Sequence, residues 1–210
     1  MRRAVGGFSP RYVRDWDTWL HAHPDERRQL FGRILRNWQA TRPVRMRRLR
    51  VEATHPSPFL DDLLESAAEP IRVLAGLTVL TIAHRTPEQH YALTSLWKNL
   101  ARLPTSGVAS CVGITKPLLL LTDGRIGPAF DSRVRRALGV PRPSTSREWL
   151  STLEGVGEDI VASEASRRLL SKAVPARFAH LAYGRLYDMA LGRRGSARKG
   201  PHAAQQRVWS

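Results

Sequence analysis

One aspartate stands where a loop turns into an arginine-rich helix. The stretch GRIGPAFDSRVRRALGV covers residues 124–140, and its Asp131 comes directly before a predicted helix over Ser132–Leu138. Asp is a favoured N-cap, because its side-chain oxygen accepts hydrogen bonds from the first backbone N–H groups of a helix. A carboxylate held in this way can also stabilise a neighbouring cationic sugar or activate a water molecule. Asp131 is therefore the candidate catalytic group, and pure helix capping is the alternative.

Arginine dominates the charge of the chain. There are 34 Lys and Arg residues against 18 Asp and Glu, which gives a formal net charge of +16. Because guanidinium groups pair with phosphate in a bidentate way, this excess indicates a polyanionic partner, above all a nucleic acid. The alternatives are a GC-rich genome that favours arginine and an anionic membrane surface. The arginines expected to contact phosphate, rather than simply face solvent, are Arg133, Arg135 and Arg136 after Asp131, and Arg45, Arg47 and Arg48 further upstream.

Length and composition exclude several classes of protein. The 210 residues, 42% of them apolar, suit one large domain or two closely packed lobes. No apolar run approaches the roughly 20 residues that span a bilayer, and the first ten residues lack the apolar core of a secretory signal. A single cysteine, Cys111, excludes a disulfide framework and a cysteine-held metal or iron–sulfur site. We therefore expect a cytoplasmic protein with no cofactor, no metal and no membrane association.

The spacing of apolar residues predicts an all-α chain, because strand-like alternation is rare in it. Trp38, Trp97 and Trp149 fall on apolar stripes and are expected in the core. Asp123 is expected to be a loop residue, with pairing to Arg125 as the alternative. The predicted helices are Tyr12–Leu20, one that starts at Pro24, Asp61–Ala67, Pro70–Ala83, one capped by Thr86 that runs to Leu103, Val108–Leu121, Ser132–Leu138, one around Trp149, Glu158–Lys172 after a break at Gly155–Gly157, and Pro175–Leu191.

A tight Leu-Pro-x-x-Gly turn stands between the helices that precede Asp131. The matching residues are Leu103, Pro104 and Gly107, followed by an apolar helix, a glycine-rich loop and Asp131. This order resembles the helix-hairpin-helix DNA glycosylase superfamily, the endonuclease III-like fold. The resemblance implies an all-α bundle of two closely packed lobes with a cleft, in one domain over residues 1–192, followed by a basic tail over 193–210 that we expect to be flexible.

The same resemblance assigns roles within the hairpin and catalytic segment, residues 103–139. It implies that the protein flips a modified or damaged base out of duplex DNA and hydrolyses its N-glycosidic bond, which leaves an abasic site. Asp131 would be the essential carboxylate. The hairpin residues Thr105, Ser106 and Gly107 would contact a DNA phosphate, which fixes register without reading sequence. The partner would be double-stranded DNA, and the protein would act as a monomer.

The chain departs from the family pattern at informative positions. Thr105 replaces a hairpin glycine, and Gly113 stands where bifunctional members carry a Schiff-base lysine. Lys116 lies one helical turn away and is the alternative lyase lysine. We therefore expect a monofunctional enzyme that uses water. The departures also favour a specialised role, removal of a modified base from phage DNA, beside the alternative of damage repair.

Two alternative hypotheses place the chain in other classes of protein. A non-catalytic DNA-binding module on the same helical scaffold would use Asp131 only as a cap. An RNA-binding or ribosome-associated protein would also be basic, although no ribonucleoprotein motif is present in the sequence.

Overall fold

The computed structural model describes residues 9–40, 60–104, 107–167 and 174–192. Within these ranges the protein is all-α, with eight α-helices, two short 3₁₀ turns and no β-strand, as the sequence predicts. The helices are α1 (Pro10–His21), α2 (Pro24–Asn37), α3 (Leu60–Val73), α4 (Pro87–Ala101), α5 (Cys111–Leu121), α6 (Ser132–Leu138), α7 (Ser146–Arg167) and α8 (Tyr183–Gly192), and the 3₁₀ turns are Ile82–His84 and Ala176–Phe178.

Local capping signals set where several helices begin. In α4, Thr86 Oγ1 accepts a hydrogen bond from Gln89 N at 3.2 Å, and Gln89 Oε1 accepts one from Thr86 N at 3.0 Å. This reciprocal pair satisfies two backbone donors, and Pro87 occupies the first helical position, where no N–H partner is needed. The cap predicted for α4 is therefore confirmed.

The helices pack around one apolar core. Successive helices α3, α4 and α5 lie against one another, α7 packs on α4, and α2 packs on α5. The three tryptophans that the sequence places in the core are buried: Trp38, Trp97 and Trp149 are only 2%, 8% and 1% exposed. Trp97 and Trp149 stack across the α4–α7 contact, with ring centroids 5.4 Å apart. Stacking of this kind adds to the energy of burial and fixes the relative position of the two helices.

The predicted helix over Pro70–Ala83 is wrong. Helix α3 continues through Pro70 to Val73, and the chain then runs through turns to Ile82. A side chain from the loop after α5 supplies the reason: the Arg125 guanidinium donates to the carbonyls of Leu74 and Ala75. Because these two carbonyls have tertiary partners, they need no helical hydrogen bonds, and the helix can end at Val73.

Asp123 lies in the turn after α5, as the sequence predicts, but the alternative pairing with Arg125 does not form. Its carboxylate accepts a hydrogen bond from Trp19 Nε1 at 2.9 Å and pairs with Arg27 at 3.3 Å, not with Arg125. Asp123 has a φ of 49°, in the left-handed region that Asp tolerates better than most residues. The loop after α5 is therefore tied to α1 and α2 through Asp123 and to the end of α3 through Arg125.

The break predicted at Gly155–Gly157 does not exist, because α7 is continuous over both glycines. A Cβ on Gly157 would lie 2.3 Å from Val79 O, whereas one on Gly155 would meet nothing within 4 Å. Gly157 therefore marks a close approach of α7 to the backbone before the first 3₁₀ turn, not a helix end.

Glycines also bring α8 against the loop that leads to Asp131. A Cβ on Gly184 would lie 2.5 Å from Gly124 O, so only glycine allows this approach. Arg185 N donates to Gly124 O at 2.9 Å. The last predicted helix, Pro175–Leu191, is accordingly shorter: a 3₁₀ turn comes first, and α8 begins at Tyr183.

Candidate functional site

A cavity of about 770 Å³ opens where α1, α5 and α8 meet the end of α2 and the start of α6. Both chemically interesting residues of the sequence analysis line it: Asp131 at the start of α6 and Lys116 on α5. Its volume is in the range of small-molecule sites and can hold one nucleotide.

Asp131 divides its two carboxylate oxygens between two tasks. Oδ1 accepts hydrogen bonds from Arg133 N and Val134 N, both at 2.9 Å, so the predicted N-cap is confirmed. Oδ2 accepts no hydrogen bond from the residues that the structure describes. One oxygen therefore holds the helix start, and the other remains available to a molecule in the cavity.

Two side chains anchor the backbone just before Asp131. Ala129 N donates to Asp188 Oδ1 at 3.1 Å, and Phe130 N donates to Thr115 Oγ1 at 3.0 Å. Both contacts are buried, where a satisfied hydrogen bond is costly to break. Asp131 is therefore held by its own cap and by anchors on α5 and α8.

Lys116 places an amine in the same cavity. Its Nζ donates to Trp38 O at 2.5 Å, across the contact between α5 and the end of α2. Burial lowers the pKa of Lys116, while the carboxylates of Asp131 and Asp188 partly oppose this shift. Lys116 lies one helical turn from Gly113, where the family pattern has its lysine, and it still lines the same cavity as Asp131.

A buried ion pair stands behind the anchoring carboxylate. Arg185 Nη1 donates to Asp188 Oδ2 at 2.6 Å, and Arg185 is only 1% exposed. The guanidinium carbon lies 4.8 Å from the ring centroid of Trp16 and 5.4 Å from that of Trp38, in cation–π geometry. Burial raises the pKa of Asp188, and Arg185 opposes this shift.

An aromatic side chain forms part of the cavity wall. The half-buried ring of Tyr12 stacks on Trp38, with centroids 5.8 Å apart and an interplanar angle of 28°. Burial, and next to it the charge of Asp131, raise the pKa of Tyr12, so the phenol stays protonated at neutral pH. This wall offers an apolar face to a planar ligand.

Arginines surround the carboxylate and the amine. Of the predicted phosphate contacts, Arg133 and Arg135 line the cavity, and the exposed Arg136 does not. Arg11 and Arg142 also line it, which the sequence analysis missed. Within the described ranges, Arg133, Arg135 and Arg142 form no ion pair with a carboxylate. Their charge is therefore available to an anionic ligand.

Other predicted contacts cannot be placed against this cavity. Thr105, Ser106, Arg45, Arg47 and Arg48 lie outside the described residues, as does the tail over 193–210. Gly107 is exposed, with a φ of 70°, and is not part of the cavity lining. The role assigned to the hairpin therefore stays a prediction.

Sequence reasoning also missed Tyr12, Arg185 and Asp188. One available signal was the pair of opposite charges three residues apart on an otherwise apolar helix, the spacing that brings two side chains together.

Cys111 begins α5 close to the cavity, and its thiol is buried. Burial raises the pKa of Cys111 to about 11, although Arg135 and Arg142 act in the opposite direction. At neutral pH it is therefore a thiol, which is a poor nucleophile. In the described part of the chain, no three His, Cys, Asp or Glu side chains lie close enough to hold a metal ion.

The described helices include none that is both long enough and apolar enough to span a bilayer. Comparisons with protein-family models, curated proteins and solved structures gave no significant match to this chain. The resemblance to helix-hairpin-helix glycosylases therefore stays a prediction.

Proposed function

We propose that the protein is a DNA glycosylase that accepts a flipped modified or damaged base and hydrolyses its N-glycosidic bond. The observation that carries this proposal is the arrangement of Asp131. One of its oxygens caps α6, and the other accepts no hydrogen bond from any described residue, in a cavity lined by arginines. A carboxylate in this situation suits a reaction in which positive charge develops on a sugar.

Each part of the cavity has a task in this reaction. Arg133, Arg135 and Arg142 bind the phosphates that flank the extruded nucleotide. Tyr12 offers its ring to the base or the sugar. As the glycosidic bond breaks, Asp131 stabilises the oxocarbenium-like sugar and accepts a proton from the attacking water. The base leaves with the bonding electron pair, and the product is an abasic site. Phage DNA with modified bases and damaged cellular DNA are the two substrate sources to compare.

The position of Lys116 favours a second candidate, a glycosylase with lyase activity. A neutral amine can attack the same sugar carbon, displace the base and form a Schiff base, after which the DNA strand breaks. Lys116 lines the cavity with Asp131, and its pKa is lowered by burial. Both features support an amine nucleophile as the alternative to water.

Asp131→Asn tests the proposal without removing the helix cap. Asn and Asp are comparable N-caps, so we expect the free energy of unfolding to change by less than about 0.5 kcal/mol. Base release, measured by alkali cleavage of labelled DNA at abasic sites, should fall by at least ~100-fold because the carboxylate is lost.

Asp123→Asn is the matched control, since it makes the same chemical change in the preceding loop, outside the cavity lining. We expect it to keep its activity. Full activity in a folded Asp131→Asn protein would show that Asp131 is only a cap. The absence of abasic sites from a broad panel of modified and damaged DNA would leave the non-catalytic DNA-binding module as the explanation.

A further inference from the structure

Asp188 lines the cavity beside Asp131 but uses its carboxylate differently. Oδ1 accepts the Ala129 backbone N–H at 3.1 Å, and Oδ2 accepts Arg185 Nη1 at 2.6 Å. Both oxygens therefore have a protein partner, whereas Oδ2 of Asp131 has none among the described residues. A carboxylate engaged in this way suits holding the backbone better than reacting with a substrate.

The partner of Asp188 is itself held rigidly. The Arg185 guanidinium lies over the rings of Trp16 and Trp38. The backbone N–H of Arg185 donates to Gly124 O at 2.9 Å. Arg185 therefore ties α8 to the aromatic cluster and to the loop after α5. The orientation of Asp188 follows from this support, because its charge is buried against a fixed cation.

Ala129 is the residue through which Asp188 contacts the backbone that leads to Asp131. It stands two residues before Asp131, and Phe130 between them is bonded to Thr115 on α5. Rotation at Ala129 would move the Asp131 carboxylate within the cavity. The two anchors therefore fix a short stretch of backbone that ends at Asp131.

We propose that Asp188, supported by Arg185, is a positioning residue that sets the place of the Asp131 carboxylate through the Ala129 backbone. This inference rests on the proposed glycosylase function and adds a residue to its machinery. A buried ion pair with no such role would contribute only to stability. The two possibilities differ in what happens to turnover when the protein remains folded.

Asp188→Ala removes the acceptor for Ala129 N–H, and Asp188→Asn retains an oxygen that can accept it. We expect Asp188→Ala to lower kcat by up to ~100-fold, since small misplacement of a reacting group has effects of this size. The Kd for substrate DNA should change by less than about threefold, because both carboxylate oxygens of Asp188 already have protein partners. Asp188→Asn should recover most of the lost kcat.

Asp159→Ala is the matched control. Asp159 also accepts a hydrogen bond from α8, from Tyr187 Oη at 3.1 Å, but it is exposed and does not line the cavity. It should keep the wild-type kcat. Equal losses of kcat in Asp188→Ala and Asp188→Asn, or a kcat of Asp188→Ala that matches the wild type, would overturn the inference.

Two further measurements cover proteins that fail to fold or to react. If Asp188→Ala does not fold, Asp188→Leu fills the same space but cannot accept the Ala129 N–H, and its kcat should fall in the same way; an unchanged kcat overturns the inference. If the wild-type protein releases no base, the proposed function fails, and amide hydrogen exchange then tests the anchor alone. Faster exchange confined to residues 129–131 in Asp188→Ala supports it, and unchanged exchange overturns it.

Discussion

At the residue scale, burial and nearby charge act in opposite directions on the pKa of Lys116. Burial disfavours the ammonium form of Lys116, and the two nearby carboxylates favour it. The net result is a pKa below the ordinary value of 10.5. The neutral amine, the form that attacks a sugar, is therefore reached at a lower pH than for an exposed lysine.

The lyase candidate makes a pH-dependent prediction for Lys116. Borohydride reduction of a Schiff base should link protein and DNA, and the yield should rise with pH until the folded-state pKa of Lys116 is passed, because only the neutral amine attacks. Lys116→Met should abolish the adduct, whereas Lys98→Met, on an exposed lysine outside the cavity lining, should not. Gel electrophoresis of reduced samples measures the yield. Base release with no adduct at any pH identifies water as the nucleophile.

The sequence predicts the parts of the site whose contacts lie between neighbouring residues of the chain. Asp131 was predicted as a cap because the Asp precedes its own helix, and the structure confirms the cap. Tyr12, Arg185 and Asp188 reach the cavity from opposite ends of the chain. Their roles depend on tertiary packing, which neither spacing nor composition encodes in a readable way.

At the scale of elements, two glycines of helix α7, only two positions apart, have different surroundings. Both Gly155 and Gly157 weaken the helical pattern of the sequence, which is why a break was predicted there. In α7, Gly155 is exposed, while Gly157 lies under the carbonyl of Val79. The sequence shows the weak helix formers, but it does not show which of them faces another backbone.

Alanine substitutions at these glycines should act in opposite directions. Gly155→Ala should raise the free energy of unfolding by about 0.5–1 kcal/mol, since alanine is the better helix former in open space. Gly157→Ala should lower it by about 1–3 kcal/mol, because its Cβ would overlap Val79 O. Urea unfolding followed by tryptophan fluorescence measures both. Stabilisation by both substitutions would contradict the packing of α7 on the segment around Val79.

Other elements followed the sequence wherever caps and periodicity agreed. Helices α2, α4 and α6 begin at the residues that their proline or cap signals predict. The segment after α3 did not follow its apolar pattern, because the Arg125 side chain satisfies the carbonyls of Leu74 and Ala75. A partner that lies far along the chain thus overrode a local preference.

At the scale of the whole molecule, the net charge of +16 suits a polyanionic partner. The charge was readable from composition, but the arrangement of Arg11, Arg133, Arg135 and Arg142 around one cavity was not. These side chains come from three separate parts of the fold, and only tertiary structure brings them to the same opening.

Salt dependence tests this arrangement. Binding to duplex DNA should weaken linearly in a plot of log K against log salt concentration, because each phosphate contact releases counterions. Arg133→Gln should make this negative slope shallower by about 0.9 if it removes one phosphate contact. Arg28→Gln, an exposed arginine on α2 away from the cavity, should leave the slope unchanged. Fluorescence anisotropy at several salt concentrations measures both, and an affinity independent of salt contradicts DNA binding.

Only one of the two carboxylate oxygens of Asp131 is used for the helix cap, and this has a consequence for substitution at this position. We expect Asp131→Asn to keep the helix start, because Oδ1 alone accepts the two capping hydrogen bonds and an amide oxygen can take its place. One nucleotide change in the Asp131 codon would therefore separate the proposed enzyme from a binding protein with the same fold.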